Sequence, residues 1–252
     1  MRHFLEVKNI KKYFKEKTGT KQLVFENLSF NITENDQVVA ILIPFGGGKT
    51  TLQKILSGLD DDYSGEVLLN GKKNFNKLPY IPGEPTSYPW HNVTENVKLI
   101  ASMYEKKDKI SSIQLQEFID IVGLTGYENH FPFNKSYGFR FRISLARALV
   151  ISPQIILLDD SFKQMDFETK VEIFELIEKI KVERKIKFLL ATSNITEVAL
   201  LSDKILLMKN KPGNISGEII ADKNKRSVEQ IKNEILKNIQ KEDILNCSNF
   251  SI

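Results

Sequence analysis

The run Gly46-Gly47-Gly48-Lys49-Thr50-Thr51 is the part of this chain best suited to chemistry. Consecutive glycines let backbone N–H groups curl around an anion, and a helix that starts at the lysine adds the positive end of its dipole. In such a cradle Lys49 reaches the outer phosphates of a nucleotide and Thr50 offers its hydroxyl to Mg2+. The complete pattern, GxxxxGK followed by Ser or Thr, opens on a glycine, and Ile43 stands in that place here. A β-branched residue tolerates positive φ poorly, so Ile43 is expected to be the awkward residue of the turn. The competing reading is a Gly-rich turn with a solvated lysine.

Ile155-Ile156-Leu157-Leu158 is an apolar run closed by Asp159 and Asp160. An acid at the end of a buried strand suits a magnesium ion held through water, and Asp159 is the candidate metal ligand beside Thr50. A lone strand-ending aspartate would mean little without the glycine-rich lysine motif.

The elements that must position these groups are legible. Val38 to Ile41 with Leu42 is a continuous apolar run, as in a strand buried on both faces of a parallel sheet. Lys49 to Ser57 reads as a helix stopped by Gly58. Phe4 to Val7 and Leu23 to Ile32 read as early strands, and Ser64 to Leu69 as a strand ending at the Asn70-Gly71 turn. Four prolines, Pro79, Pro82, Pro85 and Pro89, make the next stretch too broken for regular structure. From Thr94 to Leu149 the periodicity is helical, with Ile113, Phe118, Ile119 and Val122 sharing one face. Phe167 to Val182 reads as an amphipathic helix, and Phe188 to Ala191 and Ile205 to Met208 as strands. Beyond Lys223, Val228, Ile231, Ile235 and Ile239 fall at helical spacing, as in a surface helix packed on the core; a membrane-surface or partner helix is the alternative. Strand, Gly-rich turn, helix and a later buried strand ending in acid form the skeleton of an α/β P-loop NTPase.

Composition agrees with a globular protein. The chain has 252 residues, 41% hydrophobic and 27% charged, enough for one α/β domain or a core with a small inserted subdomain. The net charge of +4 is mild and dispersed, so it is no footprint for nucleic acid. A single cysteine, Cys247, excludes an internal disulfide and fits a reducing compartment. No apolar run approaches the roughly 20 residues that span a bilayer, so a membrane role would come through a partner.

Further segments carry a specific likeness. Ser64-Gly65-Glu66 with Asn70-Gly71, Pro89-Trp90 before Val93-Thr94-Glu95-Asn96, Ala146-Arg147-Ala148-Leu149, Leu158-Asp159-Asp160-Ser161-Phe162 and Leu201-Ser202-Asp203 recur in the right order. Over residues 3–220 the chain resembles the ATP-binding subunits of ABC transporters. Pro89-Trp90 and Lys211-Pro212-Gly213 look most like importers of nitrate, sulfonate or taurine type. The resemblance implies a RecA-like P-loop NTPase core with an antiparallel β arm, residues 1–83 and 146–222. It also implies an inserted helical subdomain at residues 84–145 carrying the signature, and a helical tail at 223–252. Two such subunits, as a homodimer or heterodimer, would sandwich two ATP molecules with Mg2+. Phe14, or Tyr13 instead, would stack on the adenine; Gly46 to Thr51 would hold the phosphates; Ser136 and Gly138 would belong to the signature, and Asp166 to the D-loop. Transmembrane permease subunits would dock near Tyr80 to Trp90, on the cytoplasmic face of the cell membrane. A solute-binding protein would complete the assembly, with no nucleic acid involved.

The chain departs from the family pattern where hydrolysis is done. Asp160 stands where the family has a water-positioning Glu, and Ser193 where it has the switch histidine. Gly83 replaces the Q-loop glutamine, with Glu84 beside it. The signature reads Lys135-Ser136-Tyr137-Gly138-Phe139, with Tyr137 adding bulk where backbone must approach the nucleotide. Arg140, Arg142 and Arg147 are expected on a solvated face. ATP binding with weak or absent hydrolysis is therefore expected; the alternative is an inactive regulatory or scaffolding subunit.

Overall fold

The computed structural model describes residues 3–15, 21–73, 78–104, 111–210, 212–241 and 250–251; Lys211 and Cys247, both used above, lie outside the described residues. In chain order the elements are β1 His3–Lys15, β2 Lys21–Thr33, β3 Val38–Leu42, α1 Lys49–Ser57, β4 Ser64–Leu69 and β5 Tyr80–Ile81. Then come α2 Val93–Tyr104, α3 Ser112–Ile121, α4 Tyr137–Leu149, β6 Ile155–Asp159 and α5 Phe167–Arg184. The remainder is β7 Lys187–Thr192, α6 Ile195–Leu201, β8 Lys204–Met208, β9 Ile215–Ile220 and α7 Val228–Lys241. The chain divides into two compact units, residues 1–78 with 187–252, and residues 79–186.

In the first unit β1 is the middle strand of an antiparallel sheet ordered β2-β1-β4, an arm. β3 lies between β7 and β8, parallel to both, and β9 runs antiparallel to β8. Every residue of β3, β7 and β8 is buried, which is why these strands read as unbroken apolar runs. α1 begins at Lys49 and ends at Gly58, whose φ of 72° and N–H bond to the Ile55 carbonyl close the helix as expected from a glycine there. Asn70 and Gly71, at φ 50° and 73°, make the two-residue turn, across which Leu69 and Lys72 exchange both backbone bonds. α7 packs on α6 with Ile231, Ile235 and Ile239 buried. The apolar stripe of the tail is thus covered by its own unit.

In the second unit β5 pairs in parallel with β6, Tyr80 opposite Leu157 and Ile81 opposite Leu158. This corrects the expectation that the proline-rich stretch is wholly irregular. Pro79 and Pro82 confine the strand to two residues at an edge, too short to show a period. The helical stretch resolves into α2, α3 and α4 packed on one another. Ile119 and Val122 face the core, but Ile113 in the first turn of α3 is 73% exposed, against its expected place on the buried face. Asn96 is fully buried: its amide donates to the carbonyls of Tyr88, His91 and Asn92 and accepts from the Tyr88 N–H. That one side chain therefore folds the loop holding Pro89-Trp90 against the start of α2. Residues 84–145 fall inside this unit.

Candidate functional site

The glycine-rich loop lies in the first unit, between β3 and α1, and borders a cleft of about 320 Å³ lined by Phe14, Gln22, Leu23, Val24 and Gly46 to Thr51. Positive φ falls on Gly46 (73°) and Gly48 (95°), the two residues that curl the chain, and not on Ile43. The expected strain at Ile43 is therefore absent. Its side chain is fully buried and its N–H donates to the Thr192 carbonyl at 2.9 Å, continuing the pairing of β3 with β7. Gly48 is required twice over, since a Cβ there would also meet the Phe25 ring at 2.7 Å and Val24 at 2.9 Å. α1 has no side-chain cap at Gly48 and no acid in its first turn. Its N-terminus thus faces the cleft as a positive dipole end built for an anion. Lys49 is largely buried, and its ammonium lies 5.2 Å from the centre of the Phe45 ring.

Of the two aromatic candidates, Phe14 lines the cleft with the loop and Tyr13 does not. Gln22, Leu23 and Val24 line it as well, and sequence reasoning missed them. They arrive through the pairing of β2 with β1, where Phe14 lies opposite Gln22, a register no local pattern encodes. Ser193 follows Thr192, whose carbonyl receives the Ile43 N–H, and so lies beside the start of the loop. It is buried, and its own carbonyl accepts from the Ser251 N–H at 3.0 Å. Asn194 caps α6 by accepting from the Glu197 N–H at 2.9 Å.

In the second unit the acids close β6. Asp159 is 4% exposed, and its Oδ2 accepts from the Tyr80 hydroxyl at 2.9 Å. Burial, and then the Asp159 charge, push the Tyr80 phenol up from its ordinary value. Asp160 adopts φ 46°, a left-handed conformation that aspartate accepts better than most residues. Gly83 backs onto these acids: a Cβ there would stand 3.2 Å from the Asp159 carbonyl oxygen and 3.3 Å from that of Asp160. Glu84 next to it is exposed.

Gly138 and Asp166, expected in the signature and the D-loop, meet at one threonine. Ser136 caps α4 by accepting from the Phe139 N–H at 3.2 Å. Gly138 faces Thr169, whose Cγ2 would lie 2.4 Å from a Cβ at 138. Thr169 in turn donates its backbone N–H (2.8 Å) and hydroxyl (2.9 Å) to Asp166, the cap of α5. The Thr169 N–H, and then its hydroxyl, hold the Asp166 carboxyl below its ordinary value. The arginines of α4 are not simply solvated. Arg142 donates to the Val122 carbonyl at 2.8 Å and to Glu172 at 2.9 Å, tying α4 to α5. Arg147 donates to the Thr86 carbonyl over the Tyr88 ring, and Arg140 stacks 4.3 Å over the Tyr137 ring.

The sequence profile described as "ABC transporter" matches residues 25–163. The aliphatic sulfonates import ATP-binding protein SsuB of Bacillus cereus is 34% identical over 245 residues, 94% of this chain and 96% of that protein. The formylaminopyrimidine import ATP-binding protein ThiZ of Halalkalibacterium halodurans is 33% identical, over 75% of this chain and 74% of that protein. Among solved structures, cbiO1 from Clostridium perfringens, part of the ABC transporter complex cbiONQ, superposes with a TM-score of 0.75 at 19% identity, covering 96% of each chain. Among the described residues no helix is long and apolar enough to cross a membrane.

Proposed function

The chain belongs to the ABC transporter family as one of its ATP-binding subunits, and from that premise we propose that it drives solute import through membrane-spanning partners. One observation carries this reading. The loop at Gly46 to Gly48 curls at two left-handed glycines into the uncapped N-terminus of α1, inside a cleft that also holds Phe14. A polyphosphate anion fits that cradle, since backbone amides and a helix dipole converge there, and the curl depends on a glycine at 48, where a Cβ would strike Phe25 and Val24.

In this reading Phe14 stacks on the adenine, Gly46, Gly47 and Gly48 surround the phosphates with Thr51, and Lys49 neutralises their outer charge. Thr50 and Asp159 are the residues that would hold Mg2+, which on binding would neutralise charge on the outer phosphates. Ser136 and Gly138 act on the nucleotide of a second ABC subunit, and Asp166 stands at the D-loop. Asp160 and Ser193 occupy the positions that orient water and sense the outer phosphate, with shorter reach than the family's residues; hydrolysis is accordingly slow. Residues 84–145 serve as the signature-bearing subdomain and 223–252 as a tail. The loop at Tyr80 to Trp90 meets the permease subunits at the cytoplasmic face of the membrane, with a solute-binding protein delivering the cargo. The cargo class that the SsuB likeness favours is an aliphatic sulfonate. A scaffolding subunit indifferent to nucleotide is disfavoured by the built cradle.

The test is ATP binding by the purified chain and by Lys49→Ala, followed by alkanesulfonate uptake in vesicles holding the complete transporter. Unchanged ATP affinity in the alanine variant would sink the cradle. Uptake of formylaminopyrimidine and not alkanesulfonate would sink the cargo.

A further inference from the structure

We propose that Tyr80 is a positioning residue for the magnesium-bearing carboxylate, its hydroxyl fixing the orientation of Asp159 through the 2.9 Å bond to Oδ2. The inference rests on the reading of Asp159 as a Mg2+ ligand. It begins from chemistry: an ionised carboxylate only accepts, so the phenol must be the donor. The χ2 torsion of aspartate is broad, and without a fixed partner its two oxygens exchange roles easily. A donor on one oxygen sets which oxygen faces outward, and this is what the outer partners of metal ligands do in general.

The fold makes Tyr80 a dependable partner. Leu157 donates its N–H to the Pro79 carbonyl at 2.9 Å, seating β5 beside the end of β6. Ser161 donates its hydroxyl to the Ile81 carbonyl at 2.9 Å, and both groups are buried. Gly83 abuts the carbonyls of Asp159 and Asp160, at a spacing that a side chain would crowd. The segment from Tyr80 to Gly83 is therefore fastened to the acids along its length. The glycine leaves no side chain at the position where the family has its glutamine, and Tyr80, three residues earlier, donates a side-chain hydrogen bond to Asp159.

The experiment uses the full chain and its Tyr80→Phe and Asp159→Asn variants. ATP affinity is measured by calorimetry in EDTA and then across a Mg2+ titration. Tyr80→Phe is expected to bind ATP in EDTA as the unaltered chain does, but to need about tenfold more Mg2+ for half of the magnesium-dependent gain. Asp159→Asn is expected to lose that gain. If Tyr80→Phe titrates Mg2+ normally while Asp159→Asn does not, the positioning role is overturned and the metal assignment stands. If Asp159→Asn also titrates normally, the metal assignment itself falls and takes the role of Tyr80 with it. A Tyr80→Phe chain that loses ATP binding even in EDTA would mark the phenol as a fold element and overturn the proposal.

Discussion

The Cγ2 of Ile43 lies 2.8 Å from the point where a Cβ at Gly47 would stand. The two positions are complementary: a branched side chain is accommodated at the head of the loop because the residue four places on has none. Gly47 does not have positive φ, so an alanine there meets a limit of space and not of backbone. Gly47→Ala is expected to cost about 1–3 kcal/mol through overpacking. In an Ile43→Gly background, itself destabilised by loss of a fully buried side chain, Gly47→Ala should cost less, although the Pro44 carbonyl at 3.0 Å still crowds the site. A double-mutant cycle in thermal or urea unfolding checks this, and additive effects would refute the coupling.

Asp166 supplies a pH-dependent prediction. Its carboxyl is held below the ordinary value of 3.8, first by the Thr169 N–H and then by the Thr169 hydroxyl. A group whose pKa is depressed on folding contributes stability above its unfolded value and loses it as pH falls through the folded one. Asparagine caps helices about as well but does not titrate. The melting temperature of the unaltered chain should therefore exceed that of Asp166→Asn near neutral pH, and the gap should close below about pH 4. A gap constant from pH 7 to pH 3 would remove Asp166 as its source.

The sequence showed the cradle well and its surroundings poorly, for identifiable reasons. Lys49 to Ser57 with its stop at Gly58, and the buried strand β3 before it, are local signals that tertiary structure left intact. Ile43 could not be judged from sequence, because its fit depends on empty space at Gly47. Tyr80 was invisible as a strand residue between two prolines, and its bond to Asp159 spans 79 positions. The partners of Arg142 likewise lie on other elements, so a run of like charges resembled a solvated face.

Ser251 leads to a prediction about local opening. Its N–H donates to the Ser193 carbonyl at 3.0 Å and its carbonyl accepts from Ile195 at 2.9 Å, while the neighbouring Phe250 is buried. The segment thus adds a bridge along the loop that holds Ser193. Phe250→Ala removes its apolar anchor, and the Ile195 amide should exchange with solvent about tenfold faster, equivalent to roughly 1.4 kcal/mol of local closure. Exchange measured by NMR at Ile195 decides this; an unchanged rate would show that the bridge holds without the ring.

The role proposed for Asp160 carries a prediction about turnover. One methylene shorter than glutamate, Asp160 reaches roughly 1 Å less toward a water, and misplacement of that order costs about 10²-fold in rate. Asp160→Glu in the assembled transporter should therefore raise kcat by up to about 10²-fold while leaving the KM for ATP nearly unchanged, because the cradle is untouched. The gain has a structural cost. At φ 46° glutamate is strained by about 1 kcal/mol more than aspartate, whose short polar side chain suits the left-handed region. The variant should accordingly melt about 2–4 °C lower. Phosphate release and a thermal melt on the same preparation test both halves. Rapid turnover by the unaltered complex, equal to that of the glutamate variant, would show that the shorter acid is no handicap and that hydrolysis here is not slow.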